Sequence, residues 1–177
     1  MMEYTFTLKY RLPDSERDME ALVERLGEAG CTDALVGIGT PGRLALEFTR
    51  EAQSAQEAVH SALADVKAAI PSATLVEALP DLVGLSDVAE LVGVSRQNMR
   101  KFSLGHRDFP LPVHEGREGS ASLWHLVDVL AWLEERKGYE LDRPLRETAE
   151  ATLEVNMAKE VRRHAPRSTH DLERFVA

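Results

Sequence analysis

Between Leu91 and Arg107 the chain carries no Asp or Glu, while four basic side chains fall there: Arg96, Arg100, Lys101 and Arg107. Gln97 and Asn98 sit among them, and Ser95 precedes them. These residue types recognise duplex DNA. Arg and Lys reach guanine O6 and N7 or a phosphate, and Asn and Gln pair with adenine. The surrounding stretch, LSDVAELVGVSRQNMRKFSL at 85–104, also meets the steric needs of two helices crossing at a tight turn. Ala89 is small where the second helix crosses the first. Gly93, four positions on, tolerates the left-handed conformation of the turn. Val88, Leu91 or Val92, Val94, Met99 and Phe102 are apolar where the two helices must meet. Ser86 and Ser95 are the expected N-caps. The second helix then presents Ser95, Arg96, Gln97, Asn98, Arg100 and Lys101 outward. A merely solvated polar face is the competing expectation, and the Ala, Gly and Ser positions weigh against it.

After this stretch come FPLPV at 109–113, a glycine-containing turn at 115–120 and LWHLVDVLAWLEER at 123–136. In that order, residues 82–136 resemble the AlpA/excisionase-type helix-turn-helix proteins of the MerR superfamily of winged helices. The resemblance covers about 55 of the 177 residues. It implies a winged fold whose second helix enters the major groove and whose wing touches the flanking backbone or minor groove. On that basis Arg117, in EGREGS, is the wing's contact candidate. Glu115 and Glu118 flank it, and Ser120-Ala121-Ser122 stands where members often place more basic groups. The link through His106-Arg107-Asp108 is slightly longer than is usual in the family.

The elements that must carry this unit are readable to either side. Tyr4, Phe6, Leu8 and Tyr10 alternate with Thr5, Thr7, Lys9 and Arg11, as in a half-buried strand. Pro13-Asp14-Ser15 ends it and is a candidate helix cap. Met19, Leu22, Val23 and Leu26 form one helical stripe, closed by Gly27 and Gly30. Strands are expected at 32–38 and 43–49. Ser54-Ala55-Gln56-Glu57 reads as a capping box opening a helix with Val59, Ala62, Leu63, Val66 and Ile70 inward. Pro71 stops that helix, and 73–78 is a last strand. The order βαββαβ over residues 1–79 is the ferredoxin-like arrangement, a shape that serves many functions. Pro80 to Gly84 reads as a link. Residues 82–138 are expected as the winged helix-turn-helix domain, with 121–124 as a return strand and a helix from Leu126 to near Gly138. A helix at 142–165 carries Leu145, Ala149, Leu153, Met157 and Val161 near one face, with Glu147 placed to pair with Arg143 or Arg146. It is expected either to dimerise the protein or to pack on its own domain. Residues 166–177 are expected as a flexible tail. The fold class is therefore α+β.

Composition bounds the partners. The chain has 21 Lys+Arg against 30 Asp+Glu, a net charge of -9. Such a balance repels nucleic acid and anionic membranes when it is uniform. It is not uniform: residues 1–80 carry -6, 81–140 carry -3 and 141–177 carry 0. The single cysteine, Cys31, excludes a disulfide framework and a thiolate metal cluster, and a reduced, cytoplasmic setting fits. No signal peptide or membrane span is expected.

Other residues with chemistry read as structural. GIGTPG at 37–42 matches a nucleotide-loop pattern, but Pro41 and the strand after it point to a hairpin turn. His60, His106, His114, His125, His164 and His170 lack metal-ligand spacing, so no metal is expected. Cys31 reads as a buried thiol rather than a nucleophile. Tyr4, Phe6 and Tyr10 are needed for a core, which argues against an RNA-stacking sheet. No acid/base pair, nucleophile or cofactor motif suggests an enzyme. The expected partners are double-stranded DNA and a second copy of the chain, since winged-helix regulators usually read two half-sites. A small molecule or another protein at the N-terminal half is open. The alternative expectation is an interaction module whose helix-turn-helix does not bind DNA.

Overall fold

One apolar face, repeated every second residue, organises the first half of the chain. The computed structural model describes residues 1–164 and 170–176. In β1 (Met2–Arg11), Tyr4, Phe6, Leu8 and Tyr10 are buried. There follow α1 (Met19–Glu28), β2 (Ala34–Gly37), β3 (Arg43–Ala52), α2 (Ala55–Ala69) and β4 (Thr74–Leu79). The four strands make one antiparallel sheet in the order β2-β3-β1-β4. Phe6 and Phe48 face each other across β1 and β3, their rings stacked with centroids 5.3 Å apart. Helices α1 and α2 share the core with this apolar face, and Thr5, Lys9 and Glu47 lie on the other. Arg50 pins the periphery. It bonds both oxygens of Asp33, Asp65 on α2 and the Ser61 hydroxyl. That pair holds the Asp33 carboxyl below its usual pKa.

Several local expectations shift. Helix α1 is capped by Asp18, which accepts from the Ala21 N–H at 3.1 Å, and not by the 13–15 segment. Asp18 is the residue directly before the apolar stripe. Val23 lies on the stripe's margin and is exposed. Ser54 caps α2, but the Glu57 carboxylate accepts the N–H of Gln53 rather than that of Ser54. Cys31 is buried, and burial pushes its thiol up to about 11. Arg50 does lie near it, but burial outweighs that cation.

A second core follows. β5 (Leu82–Val83), α3 (Leu85–Val92), α4 (Arg96–Gly105), β6 (Trp124–His125) and α5 (Leu126–Lys137) enclose Val88, Met99, Leu126, Leu130 and Leu133. The 80–84 stretch is not a free link. Leu82 and Val83 pair antiparallel with His125 and Trp124, and Asp81 is only 3% exposed. Residues 109–113 do not form a strand. Pro110 and Pro112 have no N–H to give a ladder. Pairing is confined to a bridge between His114 and Leu123, and the return strand is Trp124–His125 rather than 121–124.

The long helix α6 (Arg143–His164) packs within its own chain against both cores. Its buried face is Thr148, Ala149, Ala151, Thr152 and Val155, not the 145-149-153-157-161 series. A four-residue step rotates about 40° around a helix of 3.6 residues per turn, so such a series drifts off any one face. Met157 and Val161 are accordingly exposed. Ala151 and Val155 join the sheet's core and Ala149 the second core. The Tyr4 hydroxyl donates to Glu147 at 2.7 Å. Together with Arg143 it holds that carboxyl below its usual pKa.

Polar groups on α6 fasten the junction. Asn156 accepts from the Ala78 N–H (2.9 Å) and donates to the Ala78 carbonyl (2.8 Å) and to Asp81 Oδ2 (2.8 Å). Asp81 Oδ1 lies 2.7 Å from His125 Nδ1, and Thr152 donates to the Pro80 carbonyl. Lys159 Nζ donates to the Val76 carbonyl at 2.7 Å. Val76 and Ala78 are two residues apart, so these groups lie on one side of β4, the side away from β1. Helix α6 therefore occupies that edge of the sheet.

Of the tail expected to be flexible, residues 166–169 and 177 lie outside the described residues, as does residue 165 of the expected helix, and α7 spans His170–Val176. Among the described residues, no helix is long and apolar enough to cross a membrane.

Candidate nucleic-acid interface

The turn between α3 and α4 is built as its residues require. Gly93 adopts φ 72° and ψ 31°, the left-handed region that glycine enters without a Cβ clash. The Val94 N–H returns to the Ala89 carbonyl at 3.0 Å. Ala89 is buried at the crossing, with Val88 and Met99. The Ser95 side chain caps α4, accepting from the Asn98 N–H at 3.1 Å. Helix α3 is capped differently. Gly84 is its N-cap, and the Asp87 carboxylate accepts the Gly84 N–H at 2.8 Å, so Ser86 is not the cap.

Helix α4 turns Met99 inward and half-buries Phe102. Arg96, Gln97, Arg100 and Lys101 are exposed, on adjacent rows four residues apart. Asn98 is half-buried and lies off that face. Leu104 is 76% exposed and lies on it, one turn beyond Arg100. The signal for Leu104 was its spacing, obscured because an apolar residue reads first as core. No ion pair engages Arg96, Arg100 or Lys101 among the described residues. Lys9, Arg25, Arg50, Arg136, Arg143, Arg146 and Lys159 pair with carboxylates elsewhere. What sets α4 apart is that its three exposed cations lie within one stretch, 91–107, that carries no Asp or Glu.

The far end of α4 is clamped. Lys137 Nζ lies 2.9 Å from His106 Nε2 and 4.8 Å from the centre of the Phe102 ring. Phe102, His106 and Trp132 pack edge-on or tilted against one another. Such rings hold the helix on α5 and keep its opposite face outward. Arg107 is exposed in the turn that follows.

Arg117 belongs to a different element, the 113–123 hairpin. Val113 donates to the Leu123 carbonyl at 2.7 Å, and Leu123 donates to that of His114 at 2.9 Å. The Ser120 N–H closes the tip onto the Arg117 carbonyl at 2.9 Å. Trp124 Nε1 donates to the Pro110 carbonyl, tying the hairpin's base to the 109–113 segment. Arg117, Glu115 and Glu118 are all exposed.

Among the described residues, no group of His, Cys, Asp and Glu is arranged to hold a metal ion. The chain matches no family model, no curated protein and no solved structure.

Proposed function

We propose that the chain binds duplex DNA in a sequence-specific manner and serves as a transcriptional regulator. In this reading the second core is a winged helix-turn-helix. Its reading helix is α4, and its wing is the 113–123 hairpin. The sheet and its two helices are a ferredoxin-like domain held beside it. The observation that carries the reading is the face of α4: three cations and an amide, exposed, with no carboxylate neutralising them, in a protein of net charge -9. Gln97 and Arg96 read bases, Arg100 and Lys101 hold phosphates, and Ser95 sets the helix end against the backbone. Asn98 serves the cap and the helix's flank. Arg117 is the contact offered by the wing.

The test is enrichment from a pool of random duplexes over a salt series. The wild type is expected to enrich one sequence. Arg100→Ala should weaken binding across sequences and lower the salt slope by about 1. Arg96→Ala should relax the preference at one position. Enrichment of nothing, or an Arg96→Ala/Arg100→Ala variant that binds as the wild type does, overturns the proposal.

A specific observation favours assembly as a second reading. Leu82, Val113, Leu153, Met157 and Val161 line a groove of about 390 Å³ beside the α6 junction. Met157 and Val161 are 58% and 59% exposed. Since the other face of α6 is buried within the chain, a homodimer through this helix would use that stripe. Met157→Glu should then leave the monomer folded and abolish dimers in sedimentation.

A further inference from the structure

An isolated exposed leucine is ordinary on a protein surface. Leu104 is not placed as one. The exposed face of α4 consists of two rows at four-residue spacing: Arg96, Arg100 and Leu104, and beside them Gln97 and Lys101. At about 100° per residue, Leu104 falls between Arg100 and Gln97 when the helix is viewed end-on. It is thus at the centre of the only strip of α4 not engaged by the fold. At 1.5 Å per residue it stands about 6 Å beyond Arg100 and about 12 Å beyond Arg96. Neither folding nor solvation calls for a leucine there. Its side chain is 76% exposed, and the core-facing positions belong to Met99 and Phe102.

A major groove about 12 Å wide admits a helix, and it presents one apolar group, the C5-methyl of thymine. We infer that Leu104 contacts a thymine methyl, so that the preferred duplex has an A·T pair opposite the C-terminal half of α4. The separation along the helix puts that pair within about four base pairs of the one facing Arg96, at 3.4 Å per step. This inference rests on the DNA reading of α4 and adds to it a base identity and a residue that reads by shape and apolarity rather than by hydrogen bonds.

The experiment uses the duplex enriched above. Each thymine is replaced in turn by deoxyuridine, which removes the methyl group and keeps every hydrogen-bonding atom. For the wild type, one position should weaken binding about fourfold, the scale of one methylene-sized apolar contact. For Leu104→Ala the same replacement should have no effect, while binding to the unmodified duplex falls by a similar factor. The free variant should unfold close to the wild-type temperature, because Leu104 is 76% exposed and outside both cores. An enriched duplex whose affinity ignores every methyl, or a Leu104→Ala protein that still feels the loss, overturns the contact alone. If no duplex is enriched, the DNA reading falls and the contact falls with it.

Discussion

Replacing Asn156 by alanine should destabilise the protein more than any surface substitution. The change deletes three hydrogen bonds, two to the backbone of Ala78 and one to Asp81. Ala78 is fully buried and Asp81 nearly so. A neutral hydrogen bond contributes about 1 kcal/mol net, and one to a charged group about 1.5–3. The sum is about 3.5–5 kcal/mol. Asn156 is itself half-buried, so water can reach part of the gap and the lower end is expected. A loss of about 3 kcal/mol is a large share of a stability of about 5–15. Urea unfolding followed by circular dichroism should show a lower midpoint with an unchanged slope. Lys159→Met, which removes one bond from a charged donor to Val76 and an exposed pair with Glu160, should lose less than Asn156→Ala, about 1.5–2 kcal/mol. Asn156→Asp keeps the shape but sets a carboxylate against Asp81, and should lose at least as much as the alanine variant. A loss below about 1 kcal/mol for Asn156→Ala would refute the view that this side chain completes the sheet edge.

Other outcomes follow from single positions. Gly93→Ala meets no neighbouring atom, yet must hold φ 72°, so about 1–2 kcal/mol should be lost through backbone strain alone. Gly116→Ala would drive a Cβ into the Ser120 carbonyl. It should disturb amide shifts across 113–123 while leaving α3 and α4 unchanged by NMR. Asp33 has a folded pKa below its unfolded one, so its pair with Arg50 stabilises above the ordinary carboxylate range. That stability is lost as pH falls through the lower folded value. Asp33→Asn should be less stable at pH 7 and show a flatter decline in acid, checked by unfolding midpoints from pH 7 downward.

What could be read from the chain was what local spacing encodes. The alternation at Tyr4–Tyr10, the glycine at 93 and the cap at Ser95 each leave a mark within a few residues. The junction does not. Asn156 and Ala78 are 78 residues apart in sequence, and nothing near Asn156 distinguishes it from a solvated helix position. The stripe on α6 misled for a related reason. The helix approaches both cores through small residues, Ala149, Ala151 and Thr152, which carry little hydrophobic signal. At 80–84 proline and glycine suggested a link, whereas the burial of Asp81 depends on His125 and Asn156, which arrive much later in the chain. On α4 the cations announced themselves, and Leu104 was legible only once the inward face was known.

The covering of β4 by α6 has a consequence for how copies of this chain can meet. A sheet grows into a fibre only if both of its outer strands can accept another. Here one side is closed by side chains of the same molecule, and the other is β2, four residues long. Strand-to-strand contact between copies can therefore stop at a pair, β2 against β2, and has no second face from which to propagate. Loss of Asn156 and Lys159 together would reopen the chain to polymerisation at the very strand that now leads directly into the second core.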